Sequence, residues 1–99
     1  MQRHLVMLAL FYSTLGKRMM AEGLYRQVLD KSAYGKKEQK DSYYLVMALN
    51  FYGRMLQQSN PNRAEEADEY LKHSQEIQSR LPVWFDKVDN MFLPRFELD

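Results

Sequence analysis

The chain has 99 residues, a length that corresponds to one small domain with a single modest core. Its hydrophobic fraction of 45% and charged fraction of 27% are typical of a folded globular protein and argue against disorder. The net charge of +1 indicates neither a nucleic-acid nor a membrane partner, and the absence of cysteine excludes disulfides and thiolate metal sites.

In the first third of the chain, apolar residues recur at the spacing of one helix face, first at Leu5, Leu8, Ala9, Tyr12 and Leu15 and then at Ala21, Leu24, Tyr25, Val28 and Leu29. This pattern predicts two helices. Gly16 and Gly35 follow the two stretches and can adopt the left-handed conformation that ends a helix. Residues 36–40 (KKEQK) then form a polar loop.

The next part of the chain predicts two more helices, with apolar faces at Leu45, Ala48, Leu49, Tyr52 and Leu56 and at Ala64, Ala67, Leu71, Ser74 and Ile77. Asp41 or Ser42 is expected to cap the third helix by accepting from its free N–H groups. A turn at residues 60–62 separates the two helices, and Asn62 with Glu65 resembles a capping box at the start of the fourth.

The last part of the chain begins at Pro82, which ends the fourth helix and can occupy the first position of another. A short helix is predicted over residues 82–92, before Pro94, with one side formed by Trp84, Val88, Met91 and Phe92. We interpret it as a capping helix that covers one open end of the helical stack.

An internal repeat relates the two halves of the chain. Residues 5–12 (LVMLALFY) and 45–52 (LVMALNFY) are identical at five of eight positions, and residues 21–25 are similar to residues 67–71. The second copy is longer between its two parts, where residues 57–62 are inserted. Such a repeat is typical of helical hairpins, which bury their apolar faces by stacking on one another.

The first copy resembles the tetratricopeptide repeat (TPR), through the pattern Leu8-Ala9-x-x-Tyr12-x-x-x-Gly16 followed by Ala21, Tyr25 and Val28-Leu29. The resemblance implies an all-α fold in which antiparallel helical hairpins stack as a short right-handed α-solenoid. It divides a single domain, residues 1–99, into repeat one (2–35), repeat two (42–81) and the capping helix (82–92).

The same resemblance implies a cytoplasmic, non-catalytic adaptor or scaffold that binds a peptide or helix of a protein partner, without cofactor or metal. In this family the groove is lined by the first helix of each hairpin, which here supplies Arg3, Val6, Leu10, Ser13, Tyr43, Val46, Asn50 and Arg54. Asn50 is expected to bind the partner's backbone, and Arg3 and Arg54 its carboxylates. In the alternative interpretation, Val6, Leu10 and Val46 pack inside the array and the arginines are solvated.

Other interpretations stay open at this stage. The chain is alternatively a structural subunit, or the C-terminal fragment of a longer array, that dimerises or completes another protein's solenoid through its uncapped first hairpin. Residues 1–16 also fit the pattern of a signal peptide. A helical enzyme or nucleic-acid binder would need a convergent polar site or a broad basic face, and no such pattern is present. Six methionines, at positions 7, 19, 20, 47, 55 and 91, are expected to fill the core.

Overall fold

The computed structural model describes residues 2–81. In that range the chain forms four α-helices, α1 (Gln2–Thr14), α2 (Arg18–Lys31), α3 (Tyr43–Ser59) and α4 (Ala64–Arg80), and one 3-10 turn at Pro61–Arg63. The same range contains no strand, so the prediction of an all-α fold is confirmed for it. The capping helix predicted over residues 82–92 lies outside the described residues.

Two of the predicted helix boundaries follow from local backbone chemistry. Gly16, just after α1, has a φ angle of +79°, the left-handed conformation that glycine adopts without steric cost. The prediction that Gly35 ends α2 is wrong: the helix ends at Lys31, and Ala33, with a φ angle of +54°, adopts the left-handed conformation there, while the N–H of Tyr34 donates to the carbonyl oxygen of Leu29. Ser42 is the residue that caps α3, because its hydroxyl accepts a hydrogen bond from the backbone N–H of Leu45 at 3.2 Å. Asp41 instead forms an ion pair with Arg80 at the end of α4.

The capping box predicted from Asn62 and Glu65 is wrong. Asn62 lies inside the 3-10 turn, and the residue that precedes α4 is Arg63, whose side chain makes no capping hydrogen bond. The physical reason is Pro61, whose fixed φ angle suits the first position of a helical turn. Helical geometry therefore begins at Pro61, one residue before the expected cap.

The helices pack as two hairpins, α1 with α2 and α3 with α4, and α3 also contacts both helices of the first hairpin. Each pair is antiparallel. The start of α1 meets the end of α2 through a hydrogen bond from Gln2 Nε2 to Ser32 Oγ at 3.3 Å, and Asp41, just before α3, pairs with Arg80 at the end of α4. α3 is therefore the central helix of the described fold.

The close approach of α3 and α4 depends on Gly53. A Cβ atom at this position would lie 2.9 Å from Cγ of Leu71 and 3.0 Å from the carbonyl oxygen of Ala67. Both distances are shorter than ordinary van der Waals contact, so a larger residue would push the two helices apart.

Burial differs strongly between the two helices that begin the hairpins. In α3, all five residues of the predicted apolar face are buried, together with Val46, Met47, Phe51, Gly53 and Met55. In α1, only Val6 and Ala9 are buried. The two copies of the repeat therefore have the same helical conformation, but the first helix of the second copy is buried much more completely than that of the first copy.

Candidate partner-binding surfaces

The eight residues predicted to line a groove lie on α1 and α3, four on each helix. Val6 and Val46 belong to the core, where 0% and 2% of their surfaces are exposed, so they offer no contact area to a partner in this conformation. Both valines therefore pack inside the protein, as the alternative interpretation predicts. Leu10 also packs against the core but keeps part of its surface exposed.

The remaining members of the predicted groove are mostly polar. Arg3 is exposed, Ser13, Asn50 and Arg54 are half-buried, and the half-buried ring of Tyr43 packs against the core. With both valines buried, the groove retains Leu10 and polar side chains as its accessible surface.

A second surface carries exposed apolar side chains on one side of α1 and at the residue that follows it, and we call it the open face. Its members, with their exposed fractions, are Met7 (43%), Leu8 (43%), Phe11 (56%) and Leu15 (55%). Met19 (88%) and Met20 (49%), at the start of α2, are exposed as well. A groove of about 540 Å³ runs along α1 on this side, lined by Arg3, His4, Met7, Leu8 and Phe11. Exposed apolar residues that lie side by side in this way are typical of interaction sites.

The exposed side chains correct one expectation about the methionines. Met7, Met19 and Met20 do not fill the core, whereas Met47 and Met55 are buried there, with 3% and 8% of their surfaces exposed. The reason is that helical spacing places apolar residues on a common side of a helix but does not determine whether another element covers that side.

The internal repeat gives each residue of the open face a counterpart in α3. The counterparts of Met7, Leu8, Phe11 and Leu15 are Met47, Ala48, Phe51 and Met55, whose exposed fractions are 3%, 0%, 5% and 8%. The same pattern of apolar side chains is therefore buried in the second hairpin and exposed to solvent in the first.

A polar cluster links α2 to the second hairpin. The Nη1 atom of Arg63 lies 2.6 Å from Oε2 of Glu22, and the hydroxyl of Tyr52 donates a hydrogen bond to the same carboxylate. Arg63 also donates from two of its nitrogens to both carboxylate oxygens of Glu66, at 2.8 and 2.9 Å. Arg26 donates to the Tyr52 hydroxyl at 3.1 Å. The cluster therefore fastens the two hairpins together at one end.

The cluster keeps its two carboxylates charged. Burial alone would raise the pKa of Glu22, but the hydrogen bonds from Tyr52 and Arg63 favour the charged form and bring this pKa below its usual value. The hydrogen bond from Arg63 is the main cause of the lowered pKa of Glu66. Every charge in the cluster has a partner of opposite sign, so we interpret the cluster as a structural contact between helices.

A row of aromatic rings continues from this cluster. The ring of Tyr52 stacks between those of Tyr25 and Tyr70, with centroid distances of 5.6 and 4.9 Å, and Tyr34 meets the edge of Tyr70 at 6.0 Å. The Tyr34 hydroxyl is hydrogen-bonded to Nδ1 of His73. The buried hydroxyl of Tyr25 has no hydrogen-bond partner among residues 2–81. The row joins α2, α3 and α4 through a single set of packed rings.

The described residues contain no group of three or more histidine, aspartate or glutamate side chains able to hold a metal ion. His73 is engaged with Tyr34, and His4 lines the groove on the open face. Between residues 2 and 81, no helix combines the length and the apolar character that crossing a bilayer requires.

Sequence reasoning placed Tyr12 and Tyr25 on the apolar helix faces but missed the cluster around Glu22 and Arg63. A signal was present, because both hairpins have a tyrosine at the matching repeat position of the first helix, Tyr12 or Tyr52, and a basic residue, Lys17 or Arg63, immediately before the second. The open face was missed as a set, although the uncapped first hairpin was named as a site of self-association.

The chain was compared with protein-family models, curated proteins and solved structures, and none of the three comparisons finds a match.

Proposed function

We propose that the chain is a non-catalytic protein-interaction module of the TPR kind, whose hairpins stack as in a right-handed α-solenoid and whose open face binds helices of a partner protein. The observation that carries the proposal is the exposure of Met7, Leu8 and Phe11 along one side of α1 and of Leu15 just after it. The first hairpin then completes a helical array of the partner. A cytoplasmic location, with which the cysteine-free sequence is compatible, belongs to the same proposal.

The fold itself supports a helical partner. Ala48 and Met55 lie about one helical turn to either side of Tyr52 and share its side of α3, and the ring of Tyr52 stacks on Tyr25 of α2. This side of α3 is thus covered by a helix of the preceding hairpin. Their counterparts Leu8 and Leu15 mark the same side of α1, which is suited to a helix in the equivalent position.

The groove predicted on α1 and α3 is the second candidate surface. Its support is the partial exposure of Ser13, Asn50 and Arg54, which can hydrogen-bond to the backbone and carboxylates of an extended peptide. The burial of Val6 and Val46 removes two of its expected apolar contacts, and the open face is therefore favoured.

Site-specific photo-cross-linking in cells of the source organism separates the two surfaces. A photoreactive residue is placed in the intact chain at Phe11, at Asn50 or, as a control on α4, at the exposed Gln75. We expect cross-links to a second protein from position 11 only, mapped by mass spectrometry to a helical segment of that protein. If only position 50 cross-links to another protein, the groove is the binding surface and the open face is not. Cross-links from position 11 to the chain itself alone, or none above control, would reject the proposal.

A charge placed on the open face tests the same proposal without a probe. Leu8→Glu should abolish co-purification of the partner that the cross-linking identifies, because a buried carboxylate among apolar side chains is strongly disfavoured. Lys72→Glu, at an exposed position of α4, is the matched control and should leave recovery unchanged. Equal helical circular dichroism of both variants establishes that the fold is intact, and equal recovery with both would contradict the assignment.

A further inference from the structure

The end of the second hairpin that meets α2 binds a carboxylate. Tyr52, in the middle of α3, and Arg63, immediately before α4, both contact the side chain of Glu22. Glu22 lies on α2, in the hairpin that precedes them in the chain. Two residues of one hairpin thus bind an acidic residue of the helix packed next to it.

The first hairpin has the same two kinds of residue, which its shorter connection places five positions apart instead of eleven. Tyr12 is the counterpart of Tyr52 in the repeat, and Lys17 immediately precedes α2 as Arg63 immediately precedes α4. The backbone N–H of Lys17 donates to the carbonyl oxygen of Tyr12 at 2.9 Å, which holds the backbones of the two residues together at the end of α1. Lys17 is exposed and Tyr12 is half-buried.

The surroundings of this pair favour an acidic helix. Tyr12 shares its side of α1 with Leu8 and Leu15, whose surfaces are 43% and 55% exposed. Residues 2–21 contain no aspartate or glutamate, and the exposed Lys17 and Arg18 stand beside Leu15, Met19 and Met20. A partner surface with carboxylates would complement this charge, whereas a basic one would be repelled.

We propose that Tyr12 and Lys17 form a carboxylate-binding site on the open face, occupied by a glutamate from a partner helix that carries an aromatic residue three positions further on. Glu22 and Tyr25 of α2 have this spacing and make the equivalent contacts with Tyr52 in the second hairpin. The inference rests on the proposed function, because it names the chemistry of the helix that the open face binds.

A second copy of this chain fits the site poorly. Its Glu22 and Tyr25 are engaged with its own Tyr52, so the motif that matches the site is already in use. Two open faces brought together would also place Lys17 and Arg18 of one chain near those of the other, which like-charge repulsion disfavours. The occupant is therefore an acidic amphipathic helix of a different protein.

The test uses a peptide with the sequence of α2, residues 18–31, in which glutamine replaces Arg18 and Lys31 so that the peptide is acidic; it contains the glutamate and tyrosine at the native spacing. A hydrocarbon staple between positions 23 and 27, both exposed in α2, keeps the isolated peptide helical. Binding to the intact chain is measured by fluorescence anisotropy and compared with that of a Glu22→Gln peptide. We expect the glutamate peptide to bind about tenfold more tightly, the effect of a hydrogen bond to a charged group.

Variants of the intact chain show whether this preference comes from the proposed site. Tyr12→Phe and Lys17→Met should each reduce the preference for the glutamate peptide severalfold, whereas Lys36→Met, at an exposed loop position, should leave it unchanged. These substitutions are conservative in size, and circular dichroism establishes that each variant is folded. A preference that is absent in the wild type, or unchanged in Tyr12→Phe and Lys17→Met, would overturn the carboxylate site.

A further variant distinguishes failure of the site from failure of the proposed function. If Leu8→Glu abolishes peptide binding while the two site variants do not, the open face binds helices without a carboxylate site, and only this inference fails. If Leu8→Glu also has no effect, the open face itself is refuted. Concentration-dependent dimerisation in sedimentation equilibrium that Leu8→Glu abolishes would show that a second copy is the occupant, and would overturn the proposed acidic partner.

Discussion

Replacing Gly53 with alanine tests the close contact between α3 and α4. Alanine favours a helix interior by about 1 kcal/mol over glycine. Against this gain, the new Cβ atom would meet Leu71 Cγ at 2.9 Å and the Ala67 carbonyl oxygen at 3.0 Å. Because the second of these atoms belongs to the backbone, α4 must shift, and such overpacking costs about 1–3 kcal/mol. We expect Gly53→Ala to lower the free energy of unfolding by up to about 2 kcal/mol.

Gly23→Ala is the matched control for this prediction. Gly23 lies within α2, and a Cβ atom there would have no neighbour within 4 Å, so only the gain of about 1 kcal/mol in helix propensity remains. Urea unfolding followed by circular dichroism at 222 nm gives both values. The difference between the two variants isolates the steric cost, about 1–3 kcal/mol. If Gly53→Ala stabilises the protein as much as Gly23→Ala does, the described helix contact is incorrect.

Three further predictions concern pH and capping. Glu22 and Glu66 have lowered pKa values in the folded state, so the stability they provide is present above the ordinary value of 4.5 and is lost as the pH falls through their folded pKa values. Glu22→Gln should flatten this acid decline in urea unfolding, and an unchanged decline would contradict the role of the cluster. Ser42→Ala should lower the free energy of unfolding by about 1 kcal/mol through loss of the α3 cap, and an unchanged value would exclude that cap. Burial raises the pKa of Tyr34 from 10.0 to about 12, so the stability present below pH 10 should decline between pH 10 and about 12. Tyr34→Phe should reduce this alkaline decline, and an equal decline in both proteins would argue against Tyr34 as a cause.

The helices and most of their ends were predictable from the sequence because they depend on local chemistry. The spacing of apolar residues identifies a helix face, and a glycine such as Gly16 or a hydroxyl such as that of Ser42 ends or begins a helix within a few residues. The failure at Asn62 has the same local character, since the preceding proline begins the helical turn one residue earlier. Boundaries are therefore predicted well where the deciding residue is the recognised one, as at Gly16 and Ser42, and poorly where a neighbouring residue begins or ends the helix first.

The candidate site was less predictable because it depends on how helices meet in space. Val6 and Leu8 are both apolar residues of α1, yet one is fully buried and the other 43% exposed, according to which side another helix covers. The contact of Arg63 with Glu22 joins residues of two different hairpins. A one-dimensional pattern identifies the faces of a helix, but the arrangement of the other helices decides which face remains available.

The hydroxyl of Tyr25, which has no hydrogen-bond partner in the described range 2–81, has a consequence for the protein's resistance to heat. This side chain is fully buried and stacks on Tyr52, so phenylalanine would keep the ring contact and remove a polar atom that has lost its hydration. Tyr25→Phe should raise the melting temperature by several degrees, since relief of about 1 kcal/mol corresponds to roughly 4–8 °C in a domain of this size. Differential scanning calorimetry measures the change, and a lower melting temperature would mean that the hydroxyl is hydrated or bonded in solution. With the expected rise, the native tyrosine would make the protein less thermostable than its own packing allows.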